Sequence, residues 1–221
     1  MTNETIKALT DSLLWHLETR NWARKKLADA TRATAPQDIR ICHHLYLDNA
    51  FAAIDLVAEY YREERFIDLV RANLAKSGDL DYARELRSAV FHRDISMDSP
   101  RLSESGSRRS LCPDEVFSHD GRRRHVCSFA YTDDLARALD LAANLAMIAV
   151  LEASDLLTSR AHAPDRESTL AAIGAAPNMP EYAKAWVGKT LRGPDGDRVI
   201  AELAEARVRR LRGLLTDPTP P

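Results

Sequence analysis

The sequence predicts an all-α fold: an antiparallel helical bundle with one inserted β-hairpin and a C-terminal helical extension. Three observations carry that expectation. Apolar residues recur at spacings of three and four over several long stretches, the mark of helices with one buried face. Only eight glycines occur in 221 residues, of which 45% are apolar and 29% charged, a balance suited to a helix-rich folded chain. The one strong β signal is a pair of β-prone runs about Asp120-Gly121.

The first helix is expected from Glu4 to about Ala30, with Ile6, Leu9, Leu13, Leu14, Leu17 and Leu27 on its apolar face. Thr34-Ala35-Pro36 suits a helix entry, because proline is pre-set for the first helical turn. Ile39, Cys42, Leu45, Phe51, Ile54 and Val57 extend the second helix to about Tyr61. Phe66, Ile67, Val70 and Leu74 form a third stretch, expected to close at Ser77-Gly78 through a left-handed glycine. A fourth helix starts at Asp79, a good N-cap, and carries Leu80, Ala83, Leu86, Val90 and Phe91. From 94 to 113, serines interleaved with Pro100, Gly106, Arg108 and Arg109 predict a flexible insertion. It leads to the hairpin within Glu115–Phe129, closed at Asp120-Gly121 by a two-residue type I′ turn.

Thr132-Asp133-Asp134 supplies a cap and an acidic first turn for the strongest helix, expected to run to about Leu157. Its apolar residues cover much of its circumference, which places it in a bundle centre or an oligomer interface. Helices near Glu167–Ile173, Pro180–Thr190 and Asp197–Leu215 follow, then a loose tail. The expected organisation is a bundle over 1–160, including the Ser/Arg-rich loop and hairpin at about 94–131, and an extension with tail over 161–221.

A formal net charge of −2 excludes a general nucleic-acid coat, so any such contact has to be local. No run of roughly 18 apolar residues predicts a membrane span, and Met1–Thr5 lacks the pattern of a secretory signal, so a cytoplasmic location is expected. Cys42, Cys112 and Cys127 are too few and too irregular for a disulfide framework and are expected as free thiols. With no Gly-rich phosphate loop, nucleophile elbow or His-Glu-x-x-His motif, no cofactor is expected.

Chemistry concentrates in Arg87-Ser88-Ala89-Val90-Phe91-His92. Breaking an RNA strand needs a proton taken from the ribose 2′-OH or given to the leaving oxygen, and support for charge developing on phosphorus. A histidine titrates near neutral pH and suits the first task, while a guanidinium fork matches phosphate oxygens. No metal is then needed. Five positions on an ideal helix separate the two side chains by roughly 140°. They meet at one ligand only if the helix ends between them, or if a second chain brings its own copy.

The segment Leu86-Arg87-Ser88-Ala89-Val90-Phe91-His92-Arg93-Asp94 resembles the Arg-polar-(x)3-His motif of the HEPN superfamily, and its His-Arg-Asp run is similar to that of abortive-infection-type members. The order of elements is similar too, from about Leu13 to Leu157: a long helix pair, the motif, then a loop with hairpin before the last bundle helix. The resemblance implies a HEPN-like bundle, a homodimer uniting both motifs in one cleft, and a metal-independent endoribonuclease or RNA-binding protein of phage defence or a toxin–antitoxin system. It gives Arg87 and His92 as the catalytic pair, with Ser88 orienting them where Asn, Asp or His is more usual. The alternative is a non-catalytic dimer that scaffolds a protein partner, such as an antitoxin or another defence component. A plain helical interaction module with an accidental Arg-(x)4-His stays open as well.

Other groups have milder expectations. Arg93 and the trio Arg122, Arg123 and Arg124, with Arg101, Arg108 and Arg109, offer phosphate contacts, and Phe117, Phe129 and Tyr131 offer stacking faces. The competing expectation is a solvated hairpin whose aromatics face the core. Cys112, His119, His125 and Cys127 have zinc chemistry but no compact ligand spacing, so no metal is expected. His43 and His44 diverge by about 100° on a helix, and His16 stands alone. Trp15, Trp22, Tyr46, Phe51, Tyr60 and Tyr61 are expected in the core or a dimer seam. His92-Arg93-Asp94 also opens a kinase-type catalytic loop, but Ser99 stands where its Asn belongs and no Asp-Phe-Gly occurs.

Overall fold

The computed structural model describes residues 3–92, 101–103, 106–118, 120–163 and 165–216. Over these the chain is predominantly helical with two small antiparallel sheets. The elements are α1 Asn3–Ala33, α2 Pro36–Tyr60, α3 Glu63–Ala72, α4 Gly78–His92, β1 Arg101–Leu102, β2 Arg108–Arg109, β3 Glu115–Phe117, β4 Arg124–Val126, α5 Thr132–Ala153, α6 Ser159–His162, α7 Arg166–Ala175, α8 Glu181–Arg192 and α9 Gly196–Thr216. They divide into two compact units, one of residues 11–150 and 214–221, the other of residues 1–10 and 151–213. No helix among the described residues is long and apolar enough to cross a membrane.

In the larger unit the predicted apolar faces are largely buried: Leu13 and Leu17 of α1, Ile39, Phe51 and Ile54 of α2, Phe66 and Val70 of α3, Leu80 and Leu86 of α4, and Leu135 and Leu139 of α5. The α1–α2 corner is set by Thr34, whose φ of 55° lets the Ala35 N–H donate back to the Ala30 carbonyl at 3.1 Å. This left-handed closure is unusual for a β-branched residue, and Pro36 starts the next helix at once. The same device, with Asp155 at φ 56° and Leu156 N–H on the Leu151 carbonyl at 2.8 Å, accompanies the end of α5 at Ala153, short of the expected Leu157.

Several local expectations are corrected. Gly78 does not close α3: that helix ends at Ala72, and Gly78 is the first residue of α4. Asp79 is buried, and its carboxylate accepts the Ser128 N–H at 3.0 Å and the Ser128 hydroxyl at 2.5 Å, tying the start of α4 to the residues after β4. The insertion contains an antiparallel pair, with Arg101 opposite Arg109 and Leu102 opposite Arg108, while 94–100 fall outside the described residues. The hairpin is real but its turn is not the two-residue type. β3 and β4 pair Glu115 with Val126, Val116 with His125 and Phe117 with Arg124, leaving 118–123 as the connection. Asp120 opens that loop by accepting from the Ser118 hydroxyl and the Arg122 N–H, local bonds that compete with a tight turn. Tyr46 and Phe51 are core residues, whereas Trp15 and Trp22 are 66% and 52% exposed on one face of α1.

One buried polar network was not foreseen. Asp140 of α5, fully enclosed, lies 3.4 Å from Arg20 Nε, accepts from Arg24 Nη1 at 2.8 Å and accepts the Tyr46 hydroxyl at 3.0 Å. Arg20, 1% exposed, also donates to Asn144 at 3.0 Å and Asn21 at 3.1 Å, so α1, α2 and α5 share one charge cluster. Burial and the Asp140 charge push the Tyr46 hydroxyl well above its usual pKa.

His43, its neighbour on α2, is buried, and its Nε2 has no hydrogen-bond partner among the described residues. Burial holds its pKa down from 6.5 to about 3. The native state therefore stays neutral while the unfolded chain takes up a proton below pH 6.5. Stability is complete above that value and falls by up to about 1.4 kcal/mol per pH unit towards the folded pKa. Urea unfolding at about pH 7 and pH 5 should show this loss, and His43→Leu should flatten it; an equal loss in the variant would assign the effect elsewhere.

The smaller unit is held by Leu191, Ile200, Ala204 and Leu211, with Asp165 capping α7 through the Ser168 N–H at 2.7 Å. Gly196 opens α9 so close to α8 that a Cβ there would collide with the Leu191 carbonyl oxygen, so glycine is required.

Candidate functional site

The repeat Leu80, Ala83, Leu86, Val90 gives α4 one buried face, which packs against α2, α3 and the hairpin strands. Arg84 and Arg87, three residues apart, then fall on the flank towards α2. There α2 offers His44, Asp48, Phe51 and Asp55, spaced four, three and four and so aligned along one face. Arg87 Nε donates to Asp48 Oδ1 at 2.7 Å, and its Nη1 stands 3.8 Å from Asp55 Oδ2. Arg84 Nη2 donates to Asp55 Oδ1 at 3.1 Å. Both guanidinium groups lie against the buried Phe51 ring, at 5.6 Å for Arg84 and 6.0 Å for Arg87. His44 Nε2 is 3.8 Å from the second oxygen of Asp48, completing a His44–Asp48–Arg87 row.

Arg87 is thus fixed in direction yet 35% exposed, a guanidinium aimed by a carboxylate and an aromatic face. Ser88, one residue on, is half-buried. α4 runs on through His92, which is its last residue, so the helix does not end between the two motif positions. The His92 side chain and all of Arg93 lie outside the described residues.

The arginines of the insertion are not equivalent. Arg109 donates to Asp133 at 2.7 Å, stands 2.7 Å from Asp134 and covers the Tyr131 ring at 4.0 Å, so both residues brace the first turn of α5. Arg108 donates to Thr34. Arg124 pairs with Glu115 across the hairpin, and Arg122 is exposed, 3.9 Å from Asp120. Ser118 and the Arg122 N–H hold the Asp120 carboxyl below its usual pKa. Phe117 is 43% exposed while Val116 is buried, so the hairpin aromatics do not all face the core.

Arg123 lines an open cleft of about 510 Å³ between the hairpin and the start of α4. Ser118, Asp120 and His125 share its hairpin wall, and Arg71, Asp81, Arg84 and Glu85 form the other. Arginines and carboxylates are balanced in it, and Arg71 is engaged with Asp81 at 3.0 Å. A polyanion entering here meets Arg71 and Arg84 already paired, to Asp81 and Asp55. The link to the motif is Arg84, one turn before Arg87 on α4.

His125 therefore belongs to the cleft wall, and His119 lies outside the described residues. No group of three or more His, Cys, Asp or Glu side chains able to hold a metal occurs among the described residues. Sequence reasoning missed Asp48 and Asp55 and did not connect His44 or Phe51 with Arg87; the 4-3-4 spacing was the available signal, but only the position of α4 shows what it faces. No family model, curated protein or solved structure matches the chain.

Proposed function

We propose that this chain is a HEPN-type, metal-independent endoribonuclease or RNA-binding protein acting as a homodimer in phage defence or a toxin–antitoxin system. Its predominantly helical chain would form the antiparallel bundle of that superfamily. The observation that carries the reading is Arg87: a guanidinium held in direction by Asp48 and Phe51 but open to solvent, on the helix that ends at His92. Arg87 holds the scissile phosphate, His92 moves the proton, and Ser88 orients the pair. Arg93, Arg122, Arg123 and Arg124 guide RNA to the site. Attack by the 2′-OH on phosphorus expels the 5′-oxygen and leaves a cyclic phosphate, with no metal in the reaction.

A dimer is supported by exposed apolar side chains on two helices of the larger unit, Trp15 and Trp22 on α1 and Leu141 and Leu145 on α5. RNA binding tests the guiding role. Neutralising Arg122, Arg123 and Arg124 together should weaken binding and flatten its salt dependence by about 0.7 in log–log slope for each single-strand phosphate that is no longer neutralised. Light scattering on the same samples should give twice the single-chain mass. Unchanged affinity and slope would remove the trio from the interface, and a monomer would remove the composite site.

A second reading, a non-catalytic dimer scaffolding an antitoxin or other defence protein, is favoured by one observation. Arg87 already has a counter-ion in Asp48, which a phosphate would have to displace. Under this reading Arg87→Ala leaves RNA untouched and alters only partner binding.

A further inference from the structure

Between the hairpin and α5 the chain runs back along itself. The Thr132 N–H donates to the Ser110 carbonyl at 3.0 Å, Leu111 pairs with Tyr131, and the Cys112 N–H donates to the Ala130 carbonyl at 2.9 Å. The next pair is Glu115 with Val126. Two residues, Pro113 and Asp114, therefore stand against three, Cys127, Ser128 and Phe129, and the surplus residue makes a bulge. That bulge brings Cys112 and Cys127 to one place in the ribbon, and Cys127 Sγ accepts the Phe129 N–H at 3.4 Å. Tyr82 of α4 reaches both sulfurs, its hydroxyl donating to the Pro113 carbonyl at 2.7 Å.

The two thiols differ in the way a reactive pair needs. Cys127 is half-buried and open to a small molecule, while Cys112 is buried behind it. Hydrogen bonding from Cys112, helped by the Phe129 N–H, lowers the Cys127 thiol against the opposing effect of burial. Donating that bond, together with burial, raises Cys112. The thiolate therefore forms on the accessible sulfur. Cys42, the remaining cysteine, is buried with Leu27, Ala30 and Ile39, and its thiol is pushed up by burial.

We propose that Cys112 and Cys127 are a dithiol redox site at which a peroxide closes a reversible intramolecular disulfide. The Cys127 thiolate attacks one peroxide oxygen. The O–O bond breaks, hydroxide leaves and takes up a proton as water, and Cys127 is a sulfenic acid. Cys112 gives up its proton and attacks that sulfur. The S–O bond breaks, a second water leaves, and the disulfide remains. Two thiols and one hydrogen peroxide thus become one disulfide and two waters, and an external thiol reverses the change. The disulfide brings the two sulfurs to about 2.05 Å. The link fixes Cys127 beside Ser128, the residue that holds Asp79 at the start of α4.

This site does not depend on the reading of Arg87, and its test does not use RNA. The reduced full-length chain is treated with hydrogen peroxide, its free thiols are blocked with a maleimide, and it is digested without reductant for mass spectrometry. The expected result is a Cys112–Cys127 peptide, loss of two of the three free thiols with Cys42 retained, and full recovery with dithiothreitol. Cys112→Ser should accumulate a dimedone-trapped sulfenic acid on Cys127, and Cys127→Ser should leave Cys112 unmodified. The wild-type map stands whether or not either variant folds. Oxidation of Cys127 no faster than Cys42, or a Cys127 disulfide joining two chains in place of the internal one, overturns the proposal.

Discussion

Asp140→Ala should lower the stability of the larger unit by about 3–5 kcal/mol, the usual cost of removing one partner from a buried ion pair. The substitution leaves Arg20 enclosed with Asn21 and Asn144 alone, strips Arg24 of its acceptor and takes one of two acceptors from the Tyr46 hydroxyl. Such a loss is a large share of the roughly 5–15 kcal/mol available to a domain. With a urea slope of about 1–3 kcal/mol per molar, the unfolding midpoint should fall by at least about 1 M. Replacing Arg20 and Asp140 together by leucines should cost less than the two single changes summed, because no uncompensated charge remains. A single variant within about 0.5 kcal/mol of wild type would mean that water reaches the cluster.

Arg87→Ala and His92→Ala should each slow RNA cleavage in EDTA by a factor on the order of 10²–10⁴. Losing a positioned acid or base typically costs that much, and losing a donor to developing charge costs a comparable factor. Folding should hardly change in Arg87→Ala, since a partly exposed ion pair such as Arg87–Asp48 contributes at most about 1 kcal/mol. Arg87→Lys separates charge from geometry: it keeps the cation but loses the planar fork, and should recover only part of the rate. Intact helical circular dichroism beside lost cleavage gives the pair a chemical role. Equal cleavage in both alanine variants removes the pair from the reaction, and no cleavage by the wild type leaves the scaffold reading in its place.

Helix positions were legible because apolar spacing is a local signal, and α1, α2, α4 and α5 bury most of the residues their repeats pointed to, though Leu145 of α5 is 48% exposed. Exact ends were less so. Thr34 and Asp155 close helices in a left-handed conformation that sequence patterns assign to glycine, while Gly78, the glycine singled out for that task, begins a helix. The hairpin was visible in Asp120-Gly121, but the loop's size depends on Asp120 bonding to Ser118 and Arg122. Trp15 and Trp22 show that aromatic residues at helical spacing need not face the core. The site was half legible: Arg87 stood out by its motif, whereas Asp48, Phe51 and His44 lie about forty positions earlier and meet α4 only in the folded unit. The Asp140 cluster was hidden for the same reason, as its members come from three separate helices.

The most direct test of the central claim is the product of wild-type protein acting on RNA in EDTA, set beside His92→Ala. The account predicts cleavage by wild type with 2′,3′-cyclic phosphate ends, and its near loss in the variant. Wild-type protein that leaves a broad panel of RNAs intact, or a variant that cuts as well as wild type, would contradict it.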